Sequence, residues 1–439
     1  MDFLNKVRQV FINKNFGLAL EFLTSIMIVR YLGISDYGHY TTLYLIPILI
    51  ASVGSFGYGP SIVYFIGRGN VDVRQYLFSF TLLGMTIGFL FYGLFHFFAN
   101  DLNTYFYNNR LDVNLFFISL LFIPVVITQK YLRAILRGMY EVKVYSFLLD
   151  FLIPVLRLLI TITVIFLGFG FIGVVITPII VQTIVTLIIL IYLYTKTENK
   201  NQSLLINSPH FVEMSKFGFK SFLGTFLQKS NTSLITIIAS SLLSFSQISV
   251  LSIAQKLLGM TTSVSNSLLT VLMPKVSKSS ISEISEFIPK ATSILFTINT
   301  VFLLSYLMIV DQMVLILYGV GFDEVRALSI PLGIAAIFLP LCNILLLSIT
   351  FTGDPIKKSY ARGAGFAVNL LSLFYLYNLY GLLGLGISIA LGQIVIFILS
   401  LIFFRMKFKD VTLRNLFILK IDNLRELKNA LSNVFDKKK

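Results

Sequence analysis

Long apolar runs separated by short charged or turn-forming stretches set the pattern of the chain. They fall near 11–32, 41–66, 76–98, 114–133, 145–167, 172–194, 218–240, 247–273, 291–317, 328–351, 364–380 and 384–404. A bilayer-spanning helix needs roughly 20 apolar residues, whereas a membrane-barrel strand needs about 9–11 and alternates its face at every residue. These runs have the helical length. The pattern predicts an all-α polytopic membrane protein of about twelve transmembrane helices. The first run follows a polar, basic stretch from Met1 to Lys14 and continues to about Leu32 without an A-x-A-like cleavage site. It therefore reads as a span and not as a cleaved signal.

Composition points the same way. Of 439 residues, 56% are hydrophobic and 13% charged, against about 45–50% and about 25% in soluble domains. The few polar residues cannot wrap so apolar a core, so the expected solvent is lipid. Trp is absent, which leaves the 21 Tyr to form any interfacial aromatic belt. The single cysteine, Cys342, excludes an intrachain disulfide and a cysteine metal cluster. His39, His96 and His210 lie far apart in sequence, and no metal site is expected from them. Gly168-x-Gly170-x-x-Gly173 fits a dinucleotide fingerprint only formally, because no strand precedes it.

Charge then gives the orientation. Arg30, Arg157, Lys229 and Lys256 fall within spans, and only Arg110 and Arg326 lie in one set of alternate loops. The remaining 29 of 35 Lys and Arg gather on the other side, together with both chain ends. Cytoplasmic loops carry that excess, so both termini are expected in the cytoplasm and the membrane is expected to be a bacterial inner membrane. The net charge of +15 reports orientation and calls for no nucleic-acid partner.

The largest inner loop, Lys196 to Phe217, is the natural seam between halves. The expected organisation is an N-terminal six-helix lobe over 1–200, a cytoplasmic linker over 201–217 and a C-terminal six-helix lobe over 218–404. Phe169-Gly170-Phe171-Ile172-Gly173 is echoed by Tyr380-Gly381-Leu382-Leu383-Gly384, as two parallel repeats would produce. The tail, 405–439, carries Leu413, Leu416, Leu424, Leu427, Leu431 and Val434 at helical spacing among basic residues. It reads as an amphipathic helix on the inner surface, held by anionic lipids.

Charges inside spans are the candidate functional residues, since a central one costs about 2.5–3.5 kcal/mol on insertion scales. Glu21, Arg157, Lys229 and Lys256 stand out, with Gln228 and Gln255 beside the two lysines. Asp150 precedes Arg157 by seven residues, about two helical turns, which would put both on one face. Two readings stay open. The charges form structural ion pairs, or three cations against one central carboxylate line a watery cavity for an anionic cargo such as a diphosphate. Glu21 is also a candidate for H+ or Na+ coupling. No cofactor is expected.

Further residues carry a family resemblance. Arg30-Tyr31-Leu32-Gly33 is followed by Asp36-Tyr37-Gly38-His39-Tyr40 at the end of the first helix. Gly57-x-Gly59 with Tyr64 and Arg68 closes the second, Met273-Pro274 the eighth, and Leu317-Tyr318-Gly319 with Phe322 follows the ninth. Tyr380-Gly381 through Ala390 enters the last. In this order and spacing the chain resembles the polysaccharide-exporter, O-antigen-flippase-like branch of the multidrug/oligosaccharidyl-lipid/polysaccharide flippase superfamily. The resemblance implies two six-helix bundles around a central cavity, as in the superfamily's drug exporters. It also implies a transporter that flips an undecaprenyl-diphosphate-linked sugar repeat to the outer leaflet. A polyprenyl-diphosphate-linked glycan and polysaccharide-assembly proteins are the partners it implies.

Two rivals belong to other classes. A drug/cation antiporter of the same superfamily should favour acidic cavity residues, which the excess of buried cations disfavours. A membrane glycan polymerase or ligase needs a substantial charged outer loop, and the longest here, Asn100 to Asp112, is short. Twelve spans, where the lipid II flippases usually have fourteen, argue against that branch.

Overall fold

The computed structural model describes residues 2–68, 72–197, 208–229, 234–259, 281–351, 354–409, 411 and 416–417. All regular elements among them are helical. Eight of the described helical stretches are long and apolar enough to cross a membrane. The first, Ile12–Val53, has 42 residues and would run about 63 Å if straight, twice a hydrocarbon core of about 30 Å. It is not straight, because Gly33 leaves the helical region at φ 82, ψ 174. That break turns one stretch into two passes. The chain packs as two compact units, Met1–Ser249 and Val250–Lys439.

In the first unit α1 is Asp2–Val53, α2 Tyr58–Gly67, α3 Val73–Phe97, α4 Ala99–Tyr107, α5 Val113–Leu120 and α6 Phe122–Gly138. Then come α7 Val142–Ser146, a π-helical turn Phe147–Leu152, α8 Ile153–Phe166, α9 Gly170–Lys196, α10 Ser208–Lys229 and α11 Ile235–Leu242. Helix α12 (245–259) carries the chain into the second unit. The run expected as one helix over 41–66 is broken between α1 and α2. Phe56 and Gly57 there have φ of 43 and 71, a region costly for any residue with a Cβ. A Cβ on Gly57 would also lie 2.1 Å from the Gly218 carbonyl oxygen, so glycine is required on both counts. Helix α10 then seats against α2: Ser61 Oγ donates to Met214 O (2.9 Å), and Tyr64 stacks on Phe217 with centroids 4.7 Å apart.

Near the α4–α5 turn, away from the α6 C-terminus, Arg110 donates to Leu243 O (2.7 Å) and Ser240 O (3.0 Å). Ser240 lies in the last turn of α11 and Leu243 just past its end, where carbonyls lack helical donors. Asn108 Nδ2 adds a bond to Ser241 O at 3.0 Å. Burial pushes the Tyr107 hydroxyl in this turn above its ordinary range.

The second unit contains α13 Ile281–Tyr318, α14 Glu324–Phe351, α15 Pro355–Tyr380 and α16 Leu382–Lys407. Its core joins Ile288, Leu295, Leu341, Leu345, Ile349, Ile396, Phe397 and Phe404. Asp354 caps the approach to α15 and accepts from Lys357 (3.2 Å) and Lys407 (3.4 Å). The Lys357 ammonium, then Lys407, hold its carboxyl below the usual range. Large apolar side chains such as Phe166, Leu187, Ile191, Leu304 and Met308 lie exposed on the helices, as a lipid-facing surface requires. The amphipathic tail helix expected over 405–439 falls almost entirely outside the described residues.

Candidate functional site

The break between α1 and α2 opens one wall of a cavity of about 730 Å³ in the first unit. Ser52, Ser55, Gly57, Gly59 and Tyr64 form that wall, and Phe217, Phe222 and Phe226 of α10 face it. The third wall is α6, which contributes Lys130, Arg133 and Arg137. These three recur at i, i+3 and i+7, so a helix puts them on one face. No carboxylate lines the cavity among the described residues. Lys130 Nζ donates to Ala51 O at 2.6 Å, satisfying one of the last carbonyls of α1. Arg133 donates to Gln129 Oε1 on the previous turn, while its buried Nε has no hydrogen-bond partner. Arg137 donates to the Tyr145 hydroxyl and lies 4.5 Å from the centre of its ring.

Asp150 sits close enough to Arg133, Arg137 and Lys14 to interact with their charges, and it accepts from the Ser146 hydroxyl. It occupies the π-helical turn, which carries more residues per turn than an α-helix. The charges acting on Asp150 are those of Lys14, Arg133 and Arg137, and Arg157 is not among them. Arg157 instead donates to the Tyr40 hydroxyl (2.8 Å), with Glu21 and Tyr37 near enough to act on its charge. Its Nε is buried without a partner. Arg157 and Glu21 thus form a group with α1, separate from the lining of the cavity.

The other sequence candidates are placed as follows. The side chains of Gln228 and Lys229 lie outside the described residues. Lys256 is half-buried and engaged, and Gln255 is exposed, both on the second-unit part of α12. Among the motif residues, Arg30 is exposed, Gly33 makes the kink, and Tyr37 is buried. Gly38 packs so closely that a Cβ would lie 1.8 Å from Phe245 O, and Arg68 lies 4.4 Å from the centre of the Tyr64 ring. Lys130, Arg133 and Arg137, which count among the cytoplasmic-side cations by sequence, stand on a helix here and not in a loop. Their spacing was the available signal, and α6 extends past the apolar run to include them all.

Comparison with known proteins fits this helical architecture. The family model described as polysaccharide biosynthesis protein matches residues 14–280, and the chain belongs to that family. Solved structures of a lipid II flippase and of multidrug MATE transporters share its fold. The fold resembles that of the lipid II flippase MurJ in an inward closed conformation, with a TM-score of 0.76, 14% identity, and 98% of this chain and 93% of that one covered. An inward-facing MATE family multidrug transporter gives 0.72 at 15% identity, covering 90% and 94%. The Vibrio cholerae MATE transporter VcmN in its bent form gives 0.62 at 14% identity, covering 94% and 99%. At these identities the likeness establishes the fold alone. No curated protein matches the chain in sequence.

Proposed function

We propose that the protein flips undecaprenyl-diphosphate-linked oligosaccharide repeat units from the inner to the outer leaflet of the bacterial cytoplasmic membrane, for surface polysaccharide biosynthesis. It does so by alternating access between two six-helix lobes, with both termini in the cytoplasm. It acts as a carrier and not as a catalyst. The observation that carries this reading is the row Lys130, Arg133 and Arg137 along a cavity with no lining carboxylate among the described residues. A diphosphate supplies the missing negative charge, and charge-assisted bonds from Lys and Arg are its ordinary ligands. Tyr64, Phe217, Phe222 and Phe226 supply aromatic faces for the sugars beside it. The volume falls in the range of about 300–1,000 Å³ common to small-molecule sites.

A drug/cation antiporter would place carboxylates where this cavity has cations. The coupling ion is H+ or Na+, with Glu21 and Asp150 as the carboxylates in position to carry it. Lys229 and Lys256, with Gln228 and Gln255, belong to a continuation of the cargo path. The test is complementation of a deletion strain by Lys130→Gln/Arg133→Gln/Arg137→Gln. Complete lipid-linked repeats accumulating in the inner leaflet at normal protein level support the reading. Full restoration of surface polysaccharide sinks it.

A further inference from the structure

The second unit holds a pair of cations that no carboxylate among the described residues neutralises. Helix α15 begins at Pro355, so Lys358 lies in its first turn and Arg362 one turn further on. Arg362 is only 6% exposed. Its Nη2 donates to Asn343 Oδ1 of α14 at 2.9 Å, and its buried Nε has no partner. Lys358 is half-buried beside it. Among the described residues, the Arg362 guanidinium is near enough to act on the Lys358 charge, and the Cys342 thiol on that of Arg362. The nearby carboxylate, Asp354, is engaged by Lys357 and Lys407. Ala361, next to Arg362 in the chain, belongs to the apolar core with Leu341 and Ile344.

Three local rules are broken at once. Like charges four residues apart on a helix repel. A cation in the first turn opposes the helix dipole, which favours anions there. A buried charge needs a counter-charge, and Arg362 has only the neutral Asn343 as a hydrogen-bond partner among the described residues. Local rules that fail together mark functional positions. A single anion reverses all three, because it bridges the two cations, takes up the spare Nε–H and sits at the positive end of α15.

We infer that Lys358 and Arg362, with Asn343, form a binding site for a phosphate-bearing anion, separate from the cargo cavity of the first unit. The chemistry is that of a phosphate group, carried by an anionic membrane lipid or free as diphosphate. The site does not depend on the transport reading, since it rests on other residues in the other unit.

The experiment uses the purified full-length protein in a neutral detergent, with melting temperature as the readout. Phosphatidylglycerol and inorganic diphosphate are added in separate arms. Wild type should gain about 5 °C from the effective probe near saturation. Arg362→Met should lose that gain, yet match or exceed wild type in anion-free detergent, because it removes an uncompensated buried charge. A purely structural arginine would not give that reversal. A shift with phosphatidylglycerol alone identifies a lipid headgroup, and a shift with diphosphate alone identifies a free anion. Lys358→Met carries the same test should Arg362→Met fail to fold. Lys130→Gln/Arg133→Gln, whatever it does to transport or to diphosphate binding in the cargo cavity, keeps the part of the gain that Arg362→Met loses if the site lies where inferred. The inference is overturned by equal gains in wild type and both α15 variants, by no gain in wild type, or by a gain lost only in the cavity variant.

Discussion

Lys130 Nζ reaches 2.6 Å to the carbonyl oxygen of Ala51, joining α6 to the end of α1. The bond fixes a cationic group at the cavity wall and closes a backbone acceptor that the helix break leaves open. Both roles are separable by substitution. Lys130→Met removes the donor and should cost about 1–3 kcal/mol, the penalty of an unsatisfied buried carbonyl. Lys130→Arg, which keeps charge and donors, should recover most of that loss. Thermal unfolding of the purified variants checks the order.

Arg133 and Arg137 should affect transport more than stability. A charged hydrogen bond to phosphate is worth about 1.5–3 kcal/mol, so Arg133→Gln should slow translocation about 10-fold or more. Arg137 is exposed and already bound to Tyr145; Arg137→Gln should give the smaller effect. Initial rates in reconstituted vesicles at matched protein amounts test the ranking, and equal wild-type rates for both would contradict it.

Gly57 and Gly59 make a matched pair. A Cβ at Gly57 would lie 2.1 Å from Gly218 O at a φ of +71, whereas Gly59 has open space around it. Gly57→Ala should therefore destabilise by at least about 1–3 kcal/mol, and Gly59→Ala should leave stability unchanged. Melting temperatures of the two alanine variants decide the point.

Arg110 predicts a local effect. Removing its bonds to Ser240 and Leu243 by Arg110→Ala should speed amide exchange across residues 240–249. The protection lost should correspond to about 1.5–3 kcal/mol. Exchange unchanged in that segment would show that the α11–α12 turn holds without it.

The helical class and most spans were readable because lipid imposes a length and an apolar surface that few other solvents do. Gly33 was readable as the end of the first helix, where the motif from Arg30 places a turn. The cavity was harder to see. The apolar run stops at Arg133, and charges past it look like loop, yet α6 continues to Gly138 because its other face stays buried through Ile135 and Leu136. Arg362 was hidden for the same reason, since α15 starts nine residues before the apolar run at 364. The π-helical turn at 147–152 has no mark in the sequence, and neither has the company Asp150 keeps there with Lys14, Arg133 and Arg137. The break at Phe56 and Gly57 was present only as a glycine pair in a longer apolar run.

The central claim is that the row on α6 carries a diphosphate-linked glycan across the bilayer. The most direct measurement is translocation of undecaprenyl-diphosphate-linked oligosaccharide by purified protein in sealed vesicles, read as the fraction of glycan that crosses to the opposite leaflet with time. The account predicts time-dependent crossing with wild type and little above protein-free vesicles with Lys130→Gln/Arg133→Gln/Arg137→Gln. Equal crossing by the triple variant, at equal and correctly folded protein, would contradict it.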